Sequence, residues 1–130
     1  EKMCRELELC ERVEFVGKVR DTKHVLGISD LFLLPSETES FGLAALEAMA
    51  VSVPVISSNT GGIPEVNVHG ETGYLSEVGD VEDMAKNAIS LLRDEEKLQE
   101  FRKNALERAK YFSLERILPM YEDLYAKILK

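Results

Sequence analysis

The sequence has only two cysteines, Cys4 and Cys10, and only two histidines, His24 and His69. The cysteines stand six apart, a spacing that does not put them on one helix face, and no histidine accompanies them. Without a Cys/His cluster, a zinc site is not expected. The thiols read as reduced, as in a cytoplasmic protein, and nothing else supports a redox pair. His24 and His69 are isolated and lack the neighbours that a catalytic triad or a metal centre requires. Positive charge is scarce as well: 16 Lys and Arg against 24 Asp and Glu give a formal net charge of −8. That balance argues against nucleic acid or an anionic membrane surface as a partner. No apolar run reaches the roughly 20 residues that span a bilayer. The chain opens E-K-M-C-R-E, charged and helical in character, unlike a secretory signal. Repeats and low-complexity segments are absent.

What is present suits one small domain. The chain has 130 residues, 45% of them hydrophobic and 31% charged, enough for a core of its own. Residues 2–11 read as the end of a helix with Met3, Leu7 and Cys10 on one face. V-E-F-V-G (13–17) alternates like a strand, and Asp21 to Ser29 reads as a short helix. L-F-L-L-P (31–35) is wholly apolar, as in a strand covered on both faces, and Pro35 ends it. A helix follows from Leu43, then a strand at V-P-V-I-S-S (53–58) and a turn at N-T-G-G-I-P-E (59–65). A further turn and brief strand come at H-G-E-T-G-Y-L (69–75). Asp80 is placed to cap a helix carrying Val81, Met84, Ala85, Ala88, Leu91 and Leu92. R-D-E-E-K (93–97) is a helix boundary, and Leu98, Phe101, Ala105, Ala109 and Phe112 form another stripe. Ser113 can cap a last helix that Pro119 should kink or restart. Strands alternating with helices mean a parallel α/β sheet flanked by helices, with ligands at the carboxyl ends of its strands.

The most informative stretch stands at that edge. Phe41 to Val51 reads F-G-L-A-A-L-E-A-M-A-V, eleven residues with one charge, Glu47; Glu39 lies eight positions before it. So apolar a helix is expected to be buried, with its N-terminus open to a cleft. A loop, a glycine and a helix start present backbone amides to an anion. The carboxylates on either side repel phosphate but accept hydrogen bonds from hydroxyls. The ligand that fits is a phosphate with hydroxyl-rich groups on both sides, as in a nucleoside diphosphate sugar. A plainer reading stands beside this one: Glu47 ion-paired with a lysine or holding a loop amide, and Glu39 merely solvated in S-E-T-E-S.

The text from Val13 to about Asp80 resembles the C-terminal domain of the GT-B glycosyltransferases of the large retaining family 4. The carrying motif is E-x7-E, here Glu39-S-F-G-L-A-A-L-Glu47. E-A-M-A-V-S-V-P-V-I-S-S-N-T-G-G-I-P-E-V and G-E-T-G-Y-L follow it in order. Within the family the text is most similar to the branch that attaches N-acetylglucosamine, carried by UDP, to malate. The resemblance implies a partial Rossmann-like C-terminal half of a GT-B fold, with residues 1–112 as nucleotide-sugar-binding domain. Residues 113–130 would be a helical segment that in the family packs back on an N-terminal domain.

The resemblance also implies roles. Glu39 would contact the donor sugar at the catalytic centre. Ser40, Phe41, Gly42 and Leu43 would line the sugar and phosphate, and Glu47 would hold the ribose. Lys18 and Val19 would lie near the base. Retention in the family proceeds by front-face attack, with no protein nucleophile, metal or cofactor. A UDP-sugar would be the partner of this part, and a small-molecule acceptor would bind the N-terminal domain. Two departures matter. Val51-Ser52 stands where many members have a glycine before V-P-V, so that turn's backbone is open to differ. The arginine and lysine that hold the diphosphate in the family lie upstream of the text matched here, so the chain looks like the last third of an enzyme. In a sheet of order 3-2-1-4-5-6 the two strands upstream would lie between 13–17 and 31–35. The chain alone should then expose unpaired strands and self-associate.

Two other classes fit less well. Sugar-nucleotide epimerases use a different motif set, against which E-x7-E with F-G-L argues. A receiver-like or other non-catalytic nucleotide-binding module remains an alternative, but a receiver's acidic residue after a central strand is replaced here by Pro35.

Overall fold

A computed structural model of the protein describes residues 1–130. Helix α1 (Lys2–Glu6) and a 3-10 turn (Cys10–Arg12) lead to α2 (Thr22–Gly27). Then β1 (Phe32–Leu34), α3 (Leu43–Ala50), β2 (Val55–Ser58), α4 (Ile63–Val66) and β3 (Gly73–Ser76) alternate. Three helices close the chain: α5 (Val81–Leu92), α6 (Glu95–Lys110) and α7 (Leu114–Ile128). The sheet has three parallel strands in the order β1-β2-β3, with Leu33 opposite Ile56 and Ile56 opposite Tyr74.

Alternation along β1 divides the packing. Phe32 and Leu34 turn to a core built by Ala45, Ala48 and Met49 of α3 with Leu26, Val53, Val55, Val66 and Ala105. Leu31 turns the other way, to a second cluster of Leu91, Leu98 and Phe101, where α5 meets α6. The central strand β2 is buried along its length. The next loop engages it through Asn67, whose Nδ2 donates to the Val55 carbonyl (3.1 Å), Ser57 Oγ (2.9 Å) and the Tyr74 carbonyl (3.3 Å), while the buried Ser58 Oγ has no partner. Thr72 Oγ1 donates back to Asn67 Oδ1 at 2.9 Å. The cap expected at Asp80 forms, accepting from the Asp83 amide, and Asp94 at the R-D-E-E-K boundary likewise accepts from the Lys97 amide, both at 3.0 Å. Asp30 and Arg102 (2.6 Å) tie the start of β1 to α6.

Five expectations need correction. V-E-F-V-G is not a strand: residues 13–17 pair with nothing, and Val13, Phe15 and Val16 are exposed. Alternation supplies only the faces of a strand; its hydrogen bonds need a neighbour, and this segment has none. β1 is covered fully on one face only: on the other, Leu31 beside it packs on the second cluster but Leu33 is 56% exposed. Helix α3 is likewise half-buried: Ala45, Ala48 and Met49 are inside, while Leu43, Ala44, Glu47 and Ala50 face out. The N-terminal helix stops at Glu6, and Glu8 takes a left-handed φ of 54°. Its buried residue is Cys4, while Met3, Leu7 and Cys10 are exposed. Finally, α7 does not restart at Pro119, and the Ser113 side chain makes no capping bond. None of its residues is buried, so the apolar face of Leu118, Tyr121, Leu124 and Tyr125 lies open.

Candidate functional site

Parallel strands leave their loops at one edge, and the loops after β1 and β2 meet there. Pro35 ends β1, and residues 35–42 run from it into α3. Gly42 is the N-cap, in a left-handed conformation (φ 94°, ψ 44°) that glycine adopts without steric cost. It offers no side chain, so the first amides of α3 have no side-chain cap, and no acidic residue occupies the first turn. These amides, with the positive end of the helix dipole, are free for an anion. The buried Gly42 packs on α4: a Cβ there would lie 3.4 Å from Ile63 Cγ1.

Glu39, Ser40, Phe41, Gly42 and Leu43 are thus the consecutive residues that lead into the N-terminus of α3. Glu39 is half-buried and Ser40 exposed. Phe41 is held edge-on against Phe112, just beyond α6, with ring centroids 5.6 Å apart. Glu47 is one turn along α3 from Leu43 on the open face, and lines a cavity of about 370 Å³ with Leu43, Leu46, Ala50 and Lys110. Lys110 is the lysine that a purely structural role for Glu47 requires, yet it pairs with Glu107 at 2.7 Å. That ammonium holds the Glu107 carboxyl below the usual carboxylate range. Neither Glu39 nor Glu47 makes an ion pair. Because Glu47 is exposed, its charge needs no partner, and burial cost gives no reason to expect one. What remains is an unengaged acceptor beside uncapped amides.

Lys18 and Val19 precede α2. Lys18 is exposed and Val19 half-buried in the turn before α2, and no hydrogen bond or ion pair joins either to the Glu39–Leu43 segment. His69 is exposed. Its Nδ1 accepts from the Leu75 amide at 3.0 Å, and its ring meets Tyr74 edge-on.

Three residues around the site carry no functional signal in the sequence. Phe112 reads as the last residue of a helix stripe, but it is the seat of Phe41. Arg108 donates to the carbonyls of Glu65 and, at 3.4 Å, Val66, the last turn of α4, and stacks 5.2 Å over Phe112. Thr60 Oγ1 donates to the Glu37 carbonyl at 3.3 Å, joining the loop after β2 to the loop after β1. Sequence separation hides all three, since the contacts form only once the sheet edge is assembled.

With this geometry in place, comparison with known proteins gives a family. The profile described as "Glycosyl transferases group 1" matches residues 1–108. The chain belongs to the group 1 glycosyl transferases. It is 46% identical to the N-acetyl-alpha-D-glucosaminyl L-malate synthase of Bacillus anthracis, over 99% of this chain and 34% of that protein. It is 32% identical to the D-inositol 3-phosphate glycosyltransferase of Corynebacterium efficiens, over 94% of this chain and 29% of that protein. Among solved structures it superimposes on Anabaena Alr3699/HepE in complex with UDP (TM-score 0.92, 26% identity), over 97% of this chain and 35% of the other. A sucrose-phosphate synthase from Thermosynechococcus elongatus matches with TM-score 0.88 and 32% identity, over 98% of this chain and 33% of the other. The fold is the partial Rossmann-like half of a GT-B glycosyltransferase. The chain spans about a third of the length of these curated relatives.

Proposed function

We propose that this chain is the donor-binding part of a retaining glycosyltransferase that uses a nucleoside diphosphate sugar. The observation that carries the reading is the N-terminus of α3: amides without a side-chain cap behind a left-handed Gly42, flanked by two carboxylates in no ion pair. The diphosphate fits at the amides of Leu43 and Ala44. Glu47, one turn along, accepts from a vicinal ribose diol; Glu39 accepts from the sugar hydroxyls; Ser40 and Phe41 line the approach between them. Lys18 and Val19 take the edge nearest the base. The identity to the B. anthracis enzyme favours UDP-N-acetylglucosamine as donor and malate as acceptor, and the UDP bound to the Anabaena protein favours the same base. The acceptor would sit on a further domain, against which residues 113–130 would pack, leaving residues 1–112 as the donor unit. The free thiols of Cys4 and Cys10 suit the cytoplasm.

The reading is tested by titrating the chain with UDP and following backbone amide resonances. Shifts should centre on Gly42, Leu43 and Ala44. Glu47→Gln keeps the side chain's shape but removes its charge. Because a hydrogen bond to a charged group contributes roughly 1.5–3 kcal/mol, UDP affinity should fall about tenfold or more. Shifts distributed elsewhere, or an unchanged affinity in Glu47→Gln, would remove the assignment.

A further inference from the structure

We propose that the turn Thr60-Gly61-Gly62, after β2, is the element that positions Glu39 over the donor sugar. The proposal rests on the donor-binding reading above and extends it to residues that touch no ligand. The loop carrying Glu39 has few side chains to hold it: Glu37, Thr38 and Ser40 are exposed, and Ser36 and Glu39 are only half-buried. What it meets instead is backbone. The Gly62 amide donates to the Ser40 carbonyl at 3.1 Å and leans toward the Glu39 carbonyl at 3.4 Å. Thr60 Oγ1 adds the bond to the Glu37 carbonyl at 3.3 Å. The backbone of residues 37–40 is therefore fixed, at three of its carbonyls, by the turn of the other loop.

The closeness of this contact explains the glycine pair. A Cβ on Gly61 would fall 1.6 Å from the Glu39 carbonyl oxygen and 2.8 Å from its carbonyl carbon. A Cβ on Gly62 would fall 2.4 Å from the Ser40 carbonyl oxygen and 3.0 Å from Phe41 Cα. Both obstacles are backbone atoms, which cannot swing aside as a side-chain tip can. The turn is itself anchored on its far side, because α4 begins at Ile63 and Arg108 grips that helix's last carbonyls. An added methyl at Gly61 must therefore push the Glu39 backbone, and with it the carboxylate, away from its place. The N-terminus of α3 has a seat outside the turn, Phe41 against Phe112, in addition to Gly42 against Ile63, the residue after Gly62. The sugar side of the site should thus move while the nucleotide side stays.

The experiment compares Gly61→Ala with Gly79→Ala. Gly79 also has a left-handed φ (82°, against 56° at Gly61), but a methyl group there would meet nothing within 4 Å. It carries the same kind of conformational strain without the collision. Affinities for UDP and for UDP-N-acetylglucosamine are measured for each. Since misplacing a positioned group by about 1 Å can cost up to about a hundredfold, Gly61→Ala should lose about tenfold or more for the nucleotide sugar. UDP affinity should stay within about twofold of the unsubstituted chain, on the same ground that only misplaced groups lose binding. Gly79→Ala should leave the ratio of the two affinities unchanged. An unchanged ratio in Gly61→Ala, or the same change in both variants, would overturn the proposal. Thr60→Val, which drops the hydroxyl with no new bulk, covers the case of a Gly61→Ala chain that fails to fold; it should shift the ratio in the same direction, and no shift would count against the turn. A ligand-free measurement separates this claim from the donor reading. If the chain binds neither nucleotide, the donor reading fails; the amides of 37–40 must still shift in Gly61→Ala and not in Gly79→Ala, and their failure to do so sinks the positioning role by itself.

Discussion

Ser52 has a φ of 64°, in the left-handed region where a Cβ crowds the following carbonyl. The hydrogen bonds around it explain why it is there. The Ser52 amide donates to the Met49 carbonyl at 3.0 Å, and the Val53 amide reaches back to the Ala48 carbonyl, also at 3.0 Å. Those two bonds make a Schellman termination of α3, and they require a left-handed residue just past the C-cap Val51. The buried contact between Val53 and Ala48 completes it. Glycine is usual at that place in the family's text, and a serine leaves open whether the backbone differs. Here the serine itself takes the left-handed conformation that glycine adopts freely. Ser52→Gly should therefore stabilise the chain by about 1 kcal/mol, with part of the relief offset by a more flexible unfolded chain. Thermal unfolding should show a rise of a few degrees, whereas Ser52→Ala, which keeps the strain, should show none. A fall in melting temperature for Ser52→Gly would mean that the serine is not strained. The same scale shows what sequence can tell about the site. Gly42 is legible as a helix start because it rests on local backbone geometry, while the E-x7-E spacing is read from the family resemblance. The exposure of Glu47 is not, because an apolar helix face looks the same in one dimension whether it meets a core or an open groove.

At the scale of elements, α-helical boundaries are readable where a cap is local: Asp80 and Asp94 each accept from an amide three residues on. The strands divide differently. β2 and β3 form as expected because each finds a parallel neighbour within the chain, while 13–17 has the right alternation and no neighbour at all. Periodicity reports which face is apolar, and it is silent on pairing. Also invisible is the joint between β2 and β3. Asn67 is fully buried and bridges Val55, Ser57, Thr72 and Tyr74 across the two strands. Nothing in N-V-H-G-E-T marks that asparagine, since its partners converge only when Val55 and Gly73 come into register. The fit is close: a Cβ on Gly73 would lie 1.7 Å from the Val55 carbonyl oxygen. Asn67→Ala leaves buried acceptors on both strands without their donor, at a cost of about 3 kcal/mol. Denaturant titration should show that loss with little change in slope, and a variant within about 0.5 kcal/mol of the original would mean the network is not a joint, since that is the range of ordinary surface changes.

For the molecule as a whole, the surface is the telling quantity. Its accessible area is 9561 Å² at 14.6 kDa, whereas a folded monomer of that mass exposes about 6,900 Å². Only 23 of 130 residues are buried, too few for a chain that is 45% hydrophobic to have satisfied its apolar groups. The excess is not spread evenly. It lies on the unpaired segment 13–17, on the open face and free edge of β1, and along α7, where Leu118, Tyr121, Leu124 and Tyr125 stand clear of the core. Between α7 and the start of α3 an apolar groove of about 830 Å³ passes beside Phe41 and Leu43, next to the proposed donor site. An excess of about 2,600 Å² is larger than the roughly 800 Å² that one partner gives to a standard interface, and a free strand edge adds unpaired amides and carbonyls to it. The 130-residue chain should therefore self-associate: sedimentation velocity between micromolar and submillimolar concentrations should show a rising mean mass. It should also transfer no N-acetylglucosamine from UDP-N-acetylglucosamine to malate, because it spans only about a third of the length of its curated relatives. A strictly monomeric chain that turns over this pair would refute both expectations, since it would mean that residues 1–130 bury their own surface and supply both substrate sites.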